Sequence, residues 1–324
     1  MDRLVLTPDE RDEITALVEE VLGRDSTPDV LGIAEEGTVL AERLPHRLRD
    51  FLAGIRADES EIAVISGLSV GDLPPTPVDW RAAAATGAGR HAEIVLLLCA
   101  SALAEPFGWA SQQDGRIVHD VCPGRGQESS FTSASSRLAL SLHTEDVFHP
   151  CRGDYVALLC TRNPEQTATT LARLDAREVP EDFLAVLSED RFRFYPDDSH
   201  VPAERRQAGD DRLTSRYHTV GKVAFGPPDR PYLRFDLDFM DAVEGDEDAA
   251  KAISVMHDYL VASAQEVVLA PGDLVMIDNY RVVHGRNPFA PRWDGNDRWL
   301  KRLNLIRDIR RIYLHNGSRS RILG

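Results

Sequence analysis

The chain has 324 residues, 43% hydrophobic and 28% charged, a composition that supports a globular fold with a substantial core. Its 53 acidic residues against 37 basic ones give a formal charge of −16, which excludes a general nucleic-acid binder, since that would need a basic face. No stretch approaches the run of about 18 apolar residues that a membrane span needs, the N-terminal MDRLVLTPDERDE has no apolar signal region, and the four cysteines show no C-x-x-C pair or disulfide spacing, so a cytoplasmic protein is expected.

Thr7-Pro8-Asp9-Glu10 predicts a helix start: a capping Thr, Pro in the first turn, and acids at the positive end of the dipole. ITALVEEVL continues it with the apolar spacing of one helical face. A second amphipathic helix is expected over TVLAERLPHRLRDFLAGI, bent or interrupted at Pro45. EIAVISGLSV reads as a strand, GDLPPTPVDW as a turn-rich connector, and RHAEIVLLLCASALAEP as a buried helix ending before Pro106-Phe107-Gly108. Cys99 and Cys160 sit in apolar runs and read as buried thiols. From about residue 109 the texture changes to short β-like runs: GRIVHDVCP, LALSLHT, DYVALLCTR, RFRFYPD, YHTVGKVAF, YLRFDLDF, GDLVMIDNYRVVHG and RWLKRLNLIRDI. DAAKAISVMHDYLVASAQ is the one strong helix among them. Many short strands with Gly/Pro turns and flanking helices predict a sandwich or jelly roll, not a βαβ sheet. Residues 197–216 are polar, charged and aperiodic, which predicts a loop and a lid over a cavity.

Residues 141–150, SLHTEDVFHP, concentrate ligand-capable side chains at the end of a β-like run. On a strand, i and i+2 share a face, so His143 and Glu145 project together if the strand continues, with Thr144 turned away. Two histidines and a carboxylate on one octahedral face are the ligands of a non-haem Fe(II) oxygenase. His284, after the buried run and turn of GDLVMIDNYRVVHGRNPF, is the best-placed third ligand. A lone His-x-Glu pair also arises by chance. His149 competes with His143, but Pro150 follows it, where the strand has ended. His119 reads equally as a satisfied core or cavity histidine.

GDLVMIDNYRVVHGRNPFAPRWDGNDRWLKRL resembles the C-terminal motif of the clavaminate synthase-like Fe(II)- and 2-oxoglutarate-dependent oxygenases. Within that family it is most similar to the free L-arginine hydroxylases of the viomycin and streptothricin pathways. The likeness runs from about Trp109 to Asp308 and includes SLHTEDVFHPCRGDYVALLC. It implies an α+β fold with a double-stranded β-helix (jelly-roll, cupin-like) core flanked by helices. One oxygenase domain would span 1–324, mainly helical over about 1–108, with the core over about 109–310. The resemblance makes His143, Glu145 and His284 the iron ligands, with Glu where many relatives of the wider superfamily use Asp. It makes Arg302, 18 residues after His284, the holder of the distal carboxylate of 2-oxoglutarate, and Arg298 a weaker candidate for the same anionic region. A guanidinium fork suits that carboxylate.

Asp236 and Asp238, i and i+2 of YLRFDLDFM, present parallel carboxylates on a strand, and the resemblance assigns them to a substrate guanidinium. Gln112, Ser133 and Glu145 would meet the amino-acid end, with Gln113 as the alternative to Gln112 after a one-residue slip. The implied activity is hydroxylation of a free basic amino acid, L-arginine at C3, with Fe(II) as cofactor and 2-oxoglutarate and O2 as co-substrates. Desaturation or C4 hydroxylation of arginine, or hydroxylation of lysine or another arginine-like amino acid, stands as the alternative. A metal- or amino-acid-binding jelly-roll module without turnover is the non-enzyme reading; a zinc hydrolase would leave Arg302 without a purpose. The expected partner is a small amino acid, neither nucleic acid nor membrane, and the sequence leaves the oligomeric state open.

Overall fold

The computed structural model describes residues 1–24, 29–129, 134–201 and 217–324. Ser133 and residues 202–216 of the expected lid lie outside the described residues. Strand β1 (Asp2–Val5) pairs in parallel with β2 (Ile62–Ser66), and three helices lie between them in sequence. In α1 (Pro8–Leu22) the Thr7 hydroxyl accepts from the Glu10 N–H, the cap expected from sequence, and the Glu10 carboxylate also accepts from the Thr7 N–H, which makes the cap reciprocal. Pro45 separates two helices, α2 (Val30–Ala41) and α3 (His46–Asp58), because it lacks an N–H and its ring clashes inside a helix. The connector hides α4 (Trp80–Thr86), which starts where the Asp79 carboxylate accepts from the Ala82 N–H. Helix α5 (Arg90–Ser101) is shorter than its apolar run, since Glu105–Trp109 leave as strand β3 to pair in the sheet.

Two sheets form the core. The large one runs β1-β2-β14-β6-β16-β3-β17, with β4 (Val118–Val121) also pairing to β16; here β6 is Tyr155–Arg162, β14 is Leu274–Asp278, β16 is Trp299–Ile306 and β17 is Ile322–Leu323. The smaller one runs β13-β7-β15-β5: Gln265–Val267, Thr169–Arg173, Val282–Arg286 and Leu140–His143. A three-stranded sheet of β8 (Phe192–Phe194), β9 (Thr219–Gly221) and β12 (Met240–Ala242), a hairpin of β10 (Ala224–Phe225) and β11 (Tyr232–Leu233), and helices α6 (Glu181–Leu187), α7 (Glu247–Ser263) and α8 (Arg310–Asn316) complete the described elements.

Alternation along each strand decides which layer a side chain meets. On β6, Tyr155, Ala157 and Leu159 pack with the N-terminal helices, while Val156, Leu158 and Cys160 pack between the two sheets. Cover on both faces explains why this strand reads as an unbroken apolar run. On β16, Leu303 and Leu305 join the helical layer and Leu300 the inter-sheet layer. Lys301, wholly buried on the helical side, reaches Asp120 at 2.6 Å and Glu93 of α5 at 3.0 Å, and Trp299 Nε1 donates to the same Asp120. Arg302 therefore faces the interior between the sheets. Among the described residues no helix is long and apolar enough to cross a membrane.

Candidate active site

His143 and His284 are direct cross-strand partners of β5 and β15, with ring centroids 4.5 Å apart. The close approach needs the glycine after His284: a Cβ on Gly285 would meet the Leu140 carbonyl oxygen at 2.5 Å. Glu145 arrives differently from the alternation expected for it. Strand β5 ends at His143, and Glu145 lies in the following turn, where Asp146 adopts φ +55°. Its Oε1 stands 3.8 Å from His143 Nε2 and 3.1 Å from His284 Nε2, and the three ligand atoms lie within 4.8 Å of one another. Two ligands at right angles on metal bonds of about 2.1 Å stand about 3 Å apart, a spacing that Glu145 and His284 already have and that His143 would reach by a small inward shift, so the donor set suits one face of an octahedral ion. His143 Nδ1 donates to the Ser141 carbonyl at 2.8 Å, which leaves Nε2 as the lone-pair atom facing the other ligands. Burial works against the charge of Glu145, yet the Arg302 guanidinium and the two histidines hold its carboxyl well below the usual carboxylate range. His149 is not part of this group: its Nδ1 accepts from the Cys151 N–H and its ring packs on Trp109 and His315.

Three arginines reach the same cavity. Arg302 Nη1 donates to both Glu145 oxygens at 3.1 Å, and its Nη2 donates to Gln112 Oε1 at 3.2 Å and to His119 Nδ1 at 3.0 Å. His119 Nε2 donates to the Arg116 carbonyl, and burial, with help from Arg302, pushes this ring down to about 3. His119 is thus a neutral acceptor that orients Arg302 without cancelling its charge. Arg286 is tied to Ser135 and to the Leu138 carbonyl. Arg298 differs from both. It is buried and makes no hydrogen bond to any described residue, and, as for Arg286, no carboxylate lies within ion-pair distance among the described residues.

Asp236 and Asp238 line this cavity as well, but not as parallel groups on a strand. Strand β11 stops at Leu233, and Asp236 forms a single bridge to His143 before a turn. Its Oδ1 accepts from the N–H groups of Asp238 and Phe239, the local bonding by which Asp ends extended structure. Burial pushes Asp236 up to about 7, with Asp238 and Asp197 adding to the shift and His143 opposing it. Asp197, which the sequence reading placed only in a lid, is a third aspartate of the cavity.

Gln112 lies behind Arg302 in an adjoining pocket, and its Nε2 donates to Ser199 Oγ at 2.7 Å. Gln113 lines the same adjoining pocket and bonds the Asp120 backbone N–H and carbonyl. Asp146, left without a role by the sequence reading, accepts from Trp109 Nε1 at 2.8 Å and pairs with His200 at 3.0 Å, anchoring the start of the 197–201 segment beside the site. Asp197 and His200 carried no motif signal, and Arg286 and Asn279, though inside the C-terminal motif, were given no role from sequence. They are polar residues in loops or strand ends whose convergence appears only in three dimensions.

Residues 100–304 match the model of the taurine catabolism dioxygenase TauD, TfdA family. The chain belongs to the TauD/TfdA dioxygenase family. Among its relatives in that family, an L-ornithine/L-arginine 3-hydroxylase of Catenulispora acidiphila is 39% identical over 328 residues, covering 96% of each chain. An enduracididine beta-hydroxylase of Streptomyces hygroscopicus is 39% identical over 325 residues, covering 95% of each. The crystal structure of the non-heme iron oxygenase OrfP in complex with Fe, succinate and (3S)-hydroxy-L-Arg superposes with a TM-score of 0.90 at 35% identity over the whole of both chains. The jelly-roll core expected from the strand pattern is accordingly the TauD/TfdA fold.

Proposed function

We propose that this chain is an Fe(II)- and 2-oxoglutarate-dependent hydroxylase of a free basic amino acid, acting on L-arginine at C3. The observation that carries the reading is a cavity holding His143, Glu145 and His284 together with three arginines and three further carboxylates, of which only Arg302 pairs with a carboxylate, Glu145. None of Arg286, Arg298 and Arg302 ion-pairs with Asp197, Asp236 or Asp238. Buried charges of this kind are costly unless a ligand completes them. A dicarboxylate co-substrate and an amino acid with a cationic side chain supply the missing partners. The relatives named as arginine and enduracididine hydroxylases support the same chemistry.

Bound ferrous iron supplies the oxygen chemistry that couples decarboxylation of 2-oxoglutarate, giving succinate and CO2, to hydroxylation of the substrate. His143, Glu145 and His284 would hold it. Arg298, the buried guanidinium without a hydrogen-bond partner among the described residues, is assigned to the distal carboxylate of 2-oxoglutarate; Arg302, which the sequence reading gave that task, is already engaged by Glu145, Gln112 and His119. It is assigned instead to the carboxylate of the amino acid, with Gln112 and Glu145 receiving the ammonium group. Asp236 and Asp238, joined by Asp197, accept the guanidinium hydrogens and fix which carbon faces the metal. The whole of 1–324 is read as one oxygenase domain, a reading supported by relatives covered over 95% of their length, and the protein is read as cytoplasmic.

The test is succinate release on adding Fe(II), 2-oxoglutarate and each of a panel of free amino acids, with product mass and NMR. Arginine should stimulate turnover most and gain one oxygen at C3. No stimulation by any basic amino acid would overturn the reading. An arginine-derived cyclic guanidino acid is the second reading, favoured by the enduracididine hydroxylase at the same 39% identity, and the same panel decides it.

A further inference from the structure

Glu145 presents its carboxylate from a turn, so strand pairing does not hold it in place. We infer that Asn279 is the positioning residue that fixes Glu145 for metal binding, an inference that rests on the metal-centre reading above. Asn279 lies between β14 and β15 and is wholly buried. Its Oδ1 accepts from the Glu145 N–H at 2.7 Å, and its Nδ2 donates to the Glu145 carbonyl at 3.2 Å and to the Gly153 carbonyl at 2.9 Å. A carboxamide offers an acceptor and two donor hydrogens, the same groups that a neighbouring strand would present. The side chain therefore continues, for one residue, the ladder that stops at His143.

The clamp also joins two ligands into one unit, because Asn279 opens the connection that leads into β15 and His284. The ligand segment is held from a second direction through Thr144. Its N–H donates to the Phe235 carbonyl at 2.8 Å, and its hydroxyl accepts from Arg152 Nη1 at 3.1 Å. Asn279 does not line the cavity, so it acts on the metal only through Glu145. Its bonds reach the Glu145 backbone, from which the carboxylate is carried to the metal, and partners that orient a ligand typically matter about 10–100-fold in metal affinity.

The chain contains its own control. Asn163 makes the same three bonds at the end of β6: its Oδ1 accepts from the Thr167 N–H at 3.0 Å, and its Nδ2 donates to the Thr167 and Leu269 carbonyls at 3.1 Å each. It touches neither ligand nor cavity. In both residues Asn→Asp turns the two donor hydrogens into an oxygen facing two carbonyls, with little change in shape.

The experiment is calorimetric titration of metal-stripped protein with Co(II), without co-substrate or amino acid, beside thermal unfolding followed by circular dichroism. Asn279→Asp should weaken Co(II) binding by about 10–100-fold, while Asn163→Asp should lower the Tm and leave Co(II) affinity at the wild-type value. Wild-type affinity in Asn279→Asp, or an equal loss in Asn163→Asp, overturns the assignment. If Asn279→Asp does not fold, Thr144→Val reads the same segment from its other side: weaker Co(II) binding supports positioning through the turn, and unchanged binding overturns it. Failure of the wild-type protein to bind Co(II), or binding that survives His284→Ala, would instead remove the metal centre itself and the clamp's purpose with it.

Discussion

Replacing Arg298 by Met should move two quantities in opposite directions. The guanidinium is buried, with no carboxylate in ion-pair range among the described residues; burial, with Arg286 adding to it, pushes it down to about 10 from its usual value of 12.5. At roughly 1.4 kcal/mol for each tenfold change in proton affinity, the ligand-free protein gives up about 3 kcal/mol to keep this cation inside. The sign follows from the direction: a base depressed on folding destabilises the fold at every pH below about 10, so the cost is complete at neutral pH. Arg298→Met keeps the reach of the side chain and removes the charge. The ligand-free variant should gain up to that amount, a Tm rise on the order of 5 °C for a chain of this size. Binding of 2-oxoglutarate should fall, since deleting one member of a buried ion pair costs about 2–5 kcal/mol, roughly 30- to 4,000-fold in Kd. Scanning calorimetry with and without 2-oxoglutarate reads both effects: the variant starts higher and responds little. A lower starting Tm would refute the claim of an uncompensated cation. A 2-oxoglutarate titration superimposable on that of the wild type would return the co-substrate to Arg302.

Asp236→Asn and Asp238→Asn should each weaken arginine binding by roughly 1.5–3 kcal/mol, the worth of a hydrogen bond to a charged group, and leave 2-oxoglutarate binding intact; calorimetry with each ligand separates the two. Arg302→Ala should raise the arginine KM more than the 2-oxoglutarate KM, measured as succinate release; the reverse order would reject its assignment to the amino acid. Burial pushes Asp278 up to about 6, so it stabilises the fold below about pH 4 relative to neutral pH, and that contribution is lost as pH rises through 6. Asp278→Asn, which keeps the acceptor for the Tyr280 N–H, should be more stable than wild type at pH 7.5 by about 3 kcal/mol in urea unfolding, with the difference vanishing near pH 4. Burial pushes the thiols of Cys99, Cys122 and Cys160 up to about 12, so a thiol reagent at pH 8 should label them only after denaturation.

Much of this architecture was legible because local chemistry and final structure agree. Thr7 caps α1 as its residue type requires, Pro45 divides two helices, and the alternation of β16 sends Arg302 inward. The pairing of His143 with His284 followed from two β-like runs that each bring a histidine to the site. The failures share one cause. Period-two reasoning assumed that strands continue, whereas β5 ends one residue after Leu142 and β11 ends before the aspartates. Glu145 and Asp236 reach their places through turns whose bonds come from Asn279 and from the Asp236 side chain itself. A turn built on a partner more than a hundred residues away leaves no periodic trace. Asp197 and Arg298 were hard to weigh for a related reason: the value of a charge depends on which neighbours it lacks.

Lys301 gives strand β16 its address. A slip by one position would exchange every side chain between the two faces of the strand. The ammonium would then enter the cavity, the Arg302 guanidinium would be forced beneath α5, and Glu93 and Asp120 would lose the wholly buried cation they share, keeping only the partly exposed Arg90 and Arg116. Such an error is far more expensive than misplacing a leucine, because an unpaired buried ion has nothing to offset its lost hydration. A lysine that never meets a ligand thus acts as a registration pin, and the accuracy with which Arg302 addresses the cavity is set on the opposite side of the sheet.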